Sequence, residues 1–138
     1  MKPETFRYDR LVKSEDLNHH RTLFAGRCAE WFVEAGFIAA ASVLPASKIV
    51  CLKIHGLSFT QPIHSGDIAS FKSRIIHVGR TSLKVYVELV RQGNEDSIVK
   101  GFITFVHLGE NGKPEPHQLT LEISTPEDVN LNKIAKNL

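Results

Sequence analysis

One stretch constrains this chain more than any other. From Leu23 to about Leu44 the sequence is rich in Ala, Leu, Ile and Phe, and no proline interrupts it before Pro45. That length makes a helix of about 20 residues, apolar nearly all round, which must be enclosed by something else. Thr22 reads as its N-cap. Gly36 is a weak point in the interior unless another backbone packs close there. Two acids, Glu30 and Glu34, interrupt the apolar body. An unpaired buried charge is costly, so each is paired, surface-facing or used. Four residues apart, they share a helix face and could line a solvated groove or pair with Arg27.

After Pro45 the pattern changes to strands. Residues 48–59, 68–79, 81–91 and 97–108 are β-branched or alternating, with turn clusters at "QPIHSGD", "QGNED" and "GENGKPEPH". In the third of these, Leu83, Val85, Val87 and Leu89 fall on one face, and Lys84, Tyr86 and Glu88 on the other. Residues 5–12 could add a short first strand. Consecutive strands with short turns form an antiparallel sheet. One apolar helix against such a sheet predicts an α+β layer. The sheet must curl around the helix, and a second copy of the chain covers the rest. The expected organisation is one domain over residues 1–123 and a polar tail over 124–138, either a short helix or loose.

Composition narrows the functional classes. A chain of 138 residues suits one domain with a real core. A net charge of +2 does not by itself imply nucleic-acid binding. No apolar run approaches the roughly 20 residues of a membrane span. "MKPETFRYDR" has no apolar core and does not read as a secretory signal. Cys28 and Cys51 form no Cys-x-x-Cys pair and read as reduced thiols in a cytoplasmic protein. Cys28 lies near the helix start, where a dipole could activate it, but a catalytic thiol needs a positioned base. His19 and His20 are adjacent and point different ways, and the other histidines are scattered. No metal site is expected.

Several stretches resemble the hotdog-fold acyl-CoA thioesterases. Asn18 followed by Phe24-Ala25-Gly26 is similar to the Asn-x-x-Gly-x-x-Phe-Gly-Gly start of that family's helix. "EWFVEAGFIAA" is similar to its helix body, and "GLSFTQPIHSGDIASFKSRIIHVGRTSLKVYVEL" to its strand-turn-strand. "ENGKP" resembles its C-terminal turn. The resemblance runs from about residue 6 to 118, and its strength lies in the order and spacing of the pieces. There are departures. Arg21 stands where the family usually has glycine, and Ala25 replaces the first glycine of the Phe-Gly-Gly triplet. An ungapped alignment from Phe24 puts Val33 at the usual catalytic acid position, with Glu34 next.

The resemblance implies a hotdog fold, with a long central helix wrapped by a curved antiparallel sheet, and acyl-CoA hydrolysis without metal or redox cofactor. Coenzyme A enters only as part of the substrate. Gly26, at the helix start, would aim its N–H at the thioester oxygen. Glu34, two turns later, would face the substrate as general base. Asn18 would orient the water or bind the carbonyl. Arg80, Thr81 and Ser82 would contact coenzyme A, and His20, Phe24 and Phe59 would line the substrate site. Without the resemblance, "HVGRTS" is an ordinary hairpin turn, and Phe59 is core. The implied assembly is a homo-oligomer, a dimer of hotdogs and further a trimer of dimers, with Asn and acid from different subunits. Two other functions stay open. One is a non-catalytic acyl-CoA binder, suggested by Val33. The other is an enoyl-thioester hydratase, disfavoured because this helix carries no histidine.

Overall fold

The computed structural model describes residues 1–94 and 96–138. In chain order they form β1 (Phe6–Leu11), α1 (Ala25–Ala41), β2 (Ile49–His55), β3 (Ile68–Val78), β4 (Ser82–Arg91), β5 (Ser97–His107) and α2 (Pro126–Lys136). The strands make one antiparallel sheet in the order β1-β3-β4-β5-β2. Of the turn expected at 92–96, Glu95 lies outside the described residues.

The sheet order corrects one expectation. β2 does not pair with the next strand. Residues 56–67 carry the chain across the sheet, far longer than the two to five or so of a hairpin loop. β2 closes instead on β5, with Leu52 bulged out of register between Cys51 and Lys53.

α1 lies on one face of the sheet. Trp31, Phe32, Ala35 and Ala39 are buried against Phe71, Val85, Val87, Ile103 and Phe105. Gly36 lets the sheet approach closely: a Cβ there would come 2.7 Å from Ile103 Cδ1 and force that buried side chain to shift. The Ser73 hydroxyl donates to the Ala35 carbonyl at 2.8 Å and fastens helix to sheet. The helix has 17 residues, shorter than expected, and its N-cap is Phe24 rather than Thr22. Nor is it enclosed. Gly26, Glu30, Glu34 and Ile38 are exposed, each about 40° further round the helix than the one before.

Two further surfaces matter for the site. β2 is an outer strand, and its Val50, Leu52 and Ile54 are 44%, 67% and 37% exposed. On the opposite face, residues 126–136 of the expected tail form α2. Its Leu131 and Ala135 cover Ile76, Tyr86 and Phe102, so Tyr86 is buried despite sharing a face with Lys84 and Glu88. Among the described residues no helix is long and apolar enough to cross a membrane.

Candidate active site

The start of α1 is held tightly from below and left open above. Asp16, 3% exposed, accepts the Lys13 N–H at 2.9 Å and sits 3.7 Å from the Arg27 guanidinium. This takes up Arg27, which sequence had offered as a partner for the helix acids. The Asp16 carbonyl accepts the Phe24 N–H at 2.9 Å, and Ile63 O accepts the Leu23 N–H at 2.7 Å. The helix then begins with Cys28 N–H to Phe24 O at 3.0 Å, and no side chain caps it. Among the described residues, nothing accepts from the N–H groups of Ala25, Gly26 and Arg27. These donors and the positive end of the helix dipole suit a polarised oxygen or an anion. The Phe24 ring lies across the first turn, 2.6 Å from where a Cβ on Gly26 would be. Glycine is therefore what lets the ring lie flat.

Asn18 organises the preceding loop. Its Oδ1 accepts the N–H groups of His20 (2.8 Å) and Thr22 (3.2 Å), and its Nδ2 donates to the Thr22 hydroxyl at 3.1 Å. One Nδ2 hydrogen is left over. Arg21 closes this turn at φ 64°, the left-handed region that glycine enters most easily. The glycine of similar sequences thus has a backbone reason, and Arg21 adopts the same conformation at a cost.

A cleft of about 310 Å³ opens beside this helix end, lined by Asn18, Thr22, Ala25, Phe59, Thr60 and Gln61. Cys28 lies beneath it, 2% exposed, and burial pushes its thiol up to about 12. It is no nucleophile at neutral pH.

Glu34 is elsewhere. It lines a second cleft of about 350 Å³ with Tyr8, Val33, Phe37 and Ile38. Eight residues along an α-helix place it about 12 Å from Gly26 and roughly 80° around the axis. Val33, not Glu34, shares the Gly26 face most closely, so within one chain the expected common face is not formed. The Tyr8 hydroxyl donates to Glu34 Oε1 at 3.3 Å, and Arg10 donates to the Tyr8 oxygen at 2.6 Å. Arg10 also lies 4.8 Å above the Trp31 ring.

The structure therefore brings Asn18 and Phe59 together in one cleft, with Phe24 and Gly26 on the adjoining first turn of α1. It does not bring Glu34 to them. It also holds Arg80, Thr81 and Ser82 apart, because the β3–β4 hairpin lies at the opposite end of β4, about 30 Å away at roughly 3.3 Å per residue. The hairpin is well ordered by bonding. Thr81 O accepts the His107 N–H at 2.8 Å, Arg80 O the His117 N–H at 3.3 Å, and Ser82 O is 2.9 Å from His117 Nε2. His20 gives its backbone N–H to Asn18, and its ring centre lies 4.0 Å from that of His19, tilted by 43°. Glu30 is exposed. Among the described residues no three His, Cys, Asp or Glu side chains gather as metal ligands.

Sequence reasoning missed Tyr8, Arg10, Asp16, Thr60 and Gln61. A signal existed for the first two. β1 alternates in burial, and Phe6, Tyr8 and Arg10 share its inward face, where an arginine needs a partner.

An uncapped helix end thus lies on an antiparallel sheet, with a flanking cleft and a separate carboxylate. Residues 20–98 match the thioesterase superfamily, and the chain belongs to that family. It is 29% identical over 124 residues to the uncharacterized acyl-CoA thioester hydrolase YkhA of Bacillus subtilis, covering 87% of this chain and 71% of that protein. It is 23% identical over 113 residues to the acyl-CoA thioester hydrolase YciA of Salmonella typhimurium, covering 77% and 84%. Among solved structures, an acyl-CoA hydrolase from Bacillus cereus superposes with a TM-score of 0.87 at 28% identity, over 96% of this chain and 82% of that one. An apo-hexameric acyl-CoA thioesterase superposes with a TM-score of 0.85 at 28% identity, over 96% and 86%. The expectation of a thioester hydrolase on a hotdog fold is upheld by the family and these relatives together.

Proposed function

We propose that this protein hydrolyses an acyl-CoA thioester to a free acid and coenzyme A. The observation that carries the reading is the open start of α1. Three N–H donors there have no acceptor among the described residues, and Ala25, the first of them, lines a cleft in a family whose substrates carry a thioester carbonyl. The carbonyl oxygen accepts from the Gly26 N–H, and the spare Asn18 amide hydrogen binds it or the attacking water. A preorganised donor of this kind is worth about 3 kcal/mol to the transition state. Glu34 takes a proton from the water as it attacks, and the thiolate of coenzyme A leaves. No metal or redox cofactor takes part. Phe24 and Phe59 flank the acyl group beside His20, while Arg80, Thr81 and Ser82 hold the coenzyme A phosphates. We assign the activity to the cytoplasm.

This reading requires a second copy of the chain. Glu34 and the Arg80 hairpin both lie away from the Asn18 cleft, so a complete site forms only where one copy's helix start meets the other's helix flank and hairpin. The exposed apolar edge of β2 supports such pairing, since an outer strand with unpaired backbone and apolar side chains calls for a partner. The unit is a dimer, and three dimers make the hexamer that one similar structure's name records.

The test is thiol release from short, medium, long and aromatic acyl-CoAs by the wild type and by Glu34→Gln. Turnover lost in the variant supports the reading. One observation favours a second reading: Val33 occupies the position most nearly in line with Gly26. Saturable acyl-CoA binding with no turnover in the wild type would mean a binding protein on the same fold.

A further inference from the structure

The chain Arg10–Tyr8–Glu34 is not accounted for by packing alone. β1 presents Tyr8 and Arg10 inward, and only α1 stands opposite them. Arg10 is a permanent donor, and at 2.6 Å it occupies a lone pair of the phenol oxygen. The phenol hydrogen is therefore committed outward, and Glu34 Oε1 receives it at 3.3 Å. The Trp31 ring beneath Arg10 keeps the guanidinium in place. The direction of donation is fixed along the whole chain, from a cation through a phenol to a carboxylate. Oε2 of Glu34 has no partner among the described side chains. Val33 and Glu34 line the same cleft with Tyr8. An acid one place along the helix from Val33 points about 100° away from it. Its longer side chain needs an external hold to present an oxygen to that cleft.

We propose that Tyr8, oriented by Arg10, is the positioning residue for Glu34, holding one carboxylate oxygen so that the other stands free in the cleft as the base. This rests on the reading of Glu34 given above. It explains how this chain works with valine at the place where similar sequences carry the acid. The relay does not touch the substrate, and Arg10 acts only through Tyr8.

The test measures kcat and KM for Tyr8→Phe, Glu34→Gln and the double variant, with melting temperature as control. Phenylalanine keeps the ring against Phe71, 6.2 Å away, so the fold survives. Losing a hydrogen bond to a charged group lowers kcat about tenfold with KM little changed. In the Glu34→Gln background, Tyr8→Phe has no further effect. If Glu34→Gln is inactive while Tyr8→Phe keeps the wild-type kcat and KM, the relay is overturned and Glu34 stays the base. If Glu34→Gln turns over like wild type, the assignment of Glu34 falls and the relay with it.

Discussion

The two helices of this protein begin in opposite ways. α2 is closed at its start: Thr125 caps the Asp128 N–H, Pro126 fills the first turn, and Glu127 and Asp128 stand against the dipole. Lysines 133 and 136 complete its last turn. α1 has none of this. Its cap is Phe24, no side chain bonds its first N–H groups, and its first turn carries no acid. Both helices pack on the same sheet, so packing does not dictate the difference. A helix whose only task is to cover a face satisfies its own ends. A helix that keeps its start open, in a loop pinned by Asp16 and Asn18, reserves those donors for something that arrives later.

The largest test of this contrast is Gly26→Ala. A methyl there would stand 2.6 Å from the Phe24 ring, so the ring must shift within the first turn that carries the open donors. Thiol release falls about 10- to 100-fold, while stability changes little because the ring is exposed. A drop in melting temperature that accounts for the lost rate would break the distinction. On α2 the effects reverse. Arg74 reaches Asp128 at 2.8 Å and Glu127 at 3.0 Å, and it is 12% exposed. Arg74→Met unpins α2 and costs about 1–3 kcal/mol in denaturant unfolding, with Asp128 the main loss because Glu127 is exposed. Per-site turnover in the folded protein stays as in the wild type.

Much of this contrast was legible in the sequence, and the limit of legibility has a physical cause. The alternation in β4 marked Leu83, Val85, Val87 and Leu89 as the core face, and all four are buried. The apolar run marked α1. Local patterns of this kind depend on neighbours within a turn or a pleat. The pairing of β2 with β5 does not, since it is decided by a long crossing that no local pattern encodes. The same holds for the site. Asn18 and Gly26 are eight residues apart in one local motif and were readable together. Glu34 meets Tyr8 only because β1 passes beside α1, and Arg80 is distant because a whole strand intervenes. Thr22 failed as the cap because it is committed to Asn18, one residue pair that reading along a helix template does not weigh.

Two smaller tests sharpen the picture of the α1 start. Burial raises the Cys28 thiol from 9.0 to about 12, so the protonated thiol is the native form. Its contribution is complete below pH 9 and is lost as pH rises from 9 toward 12. Burial first, and then the Glu88 carboxylate, also raises Tyr86 to about 12, with the same sign. Melting temperature therefore falls above pH 9, and Cys28→Ala shows a shallower fall than the wild type. Equal slopes would remove Cys28 from the account. Smallest is Arg21→Gly, which relieves a left-handed residue and raises stability by about 0.5–1 kcal/mol in chemical denaturation. A loss of stability there would mean that the Arg21 side chain matters more than its backbone.

The central claim is that the open start of α1 binds the thioester oxygen. The most direct measurement is the isotope-edited infrared spectrum of a carbonyl-labelled acyl-CoA bound to Glu34→Gln. The account predicts a carbonyl stretch at lower frequency than in water, lost again in the Gly26→Ala, Glu34→Gln double variant. A bound carbonyl with the same frequency as in water would contradict it.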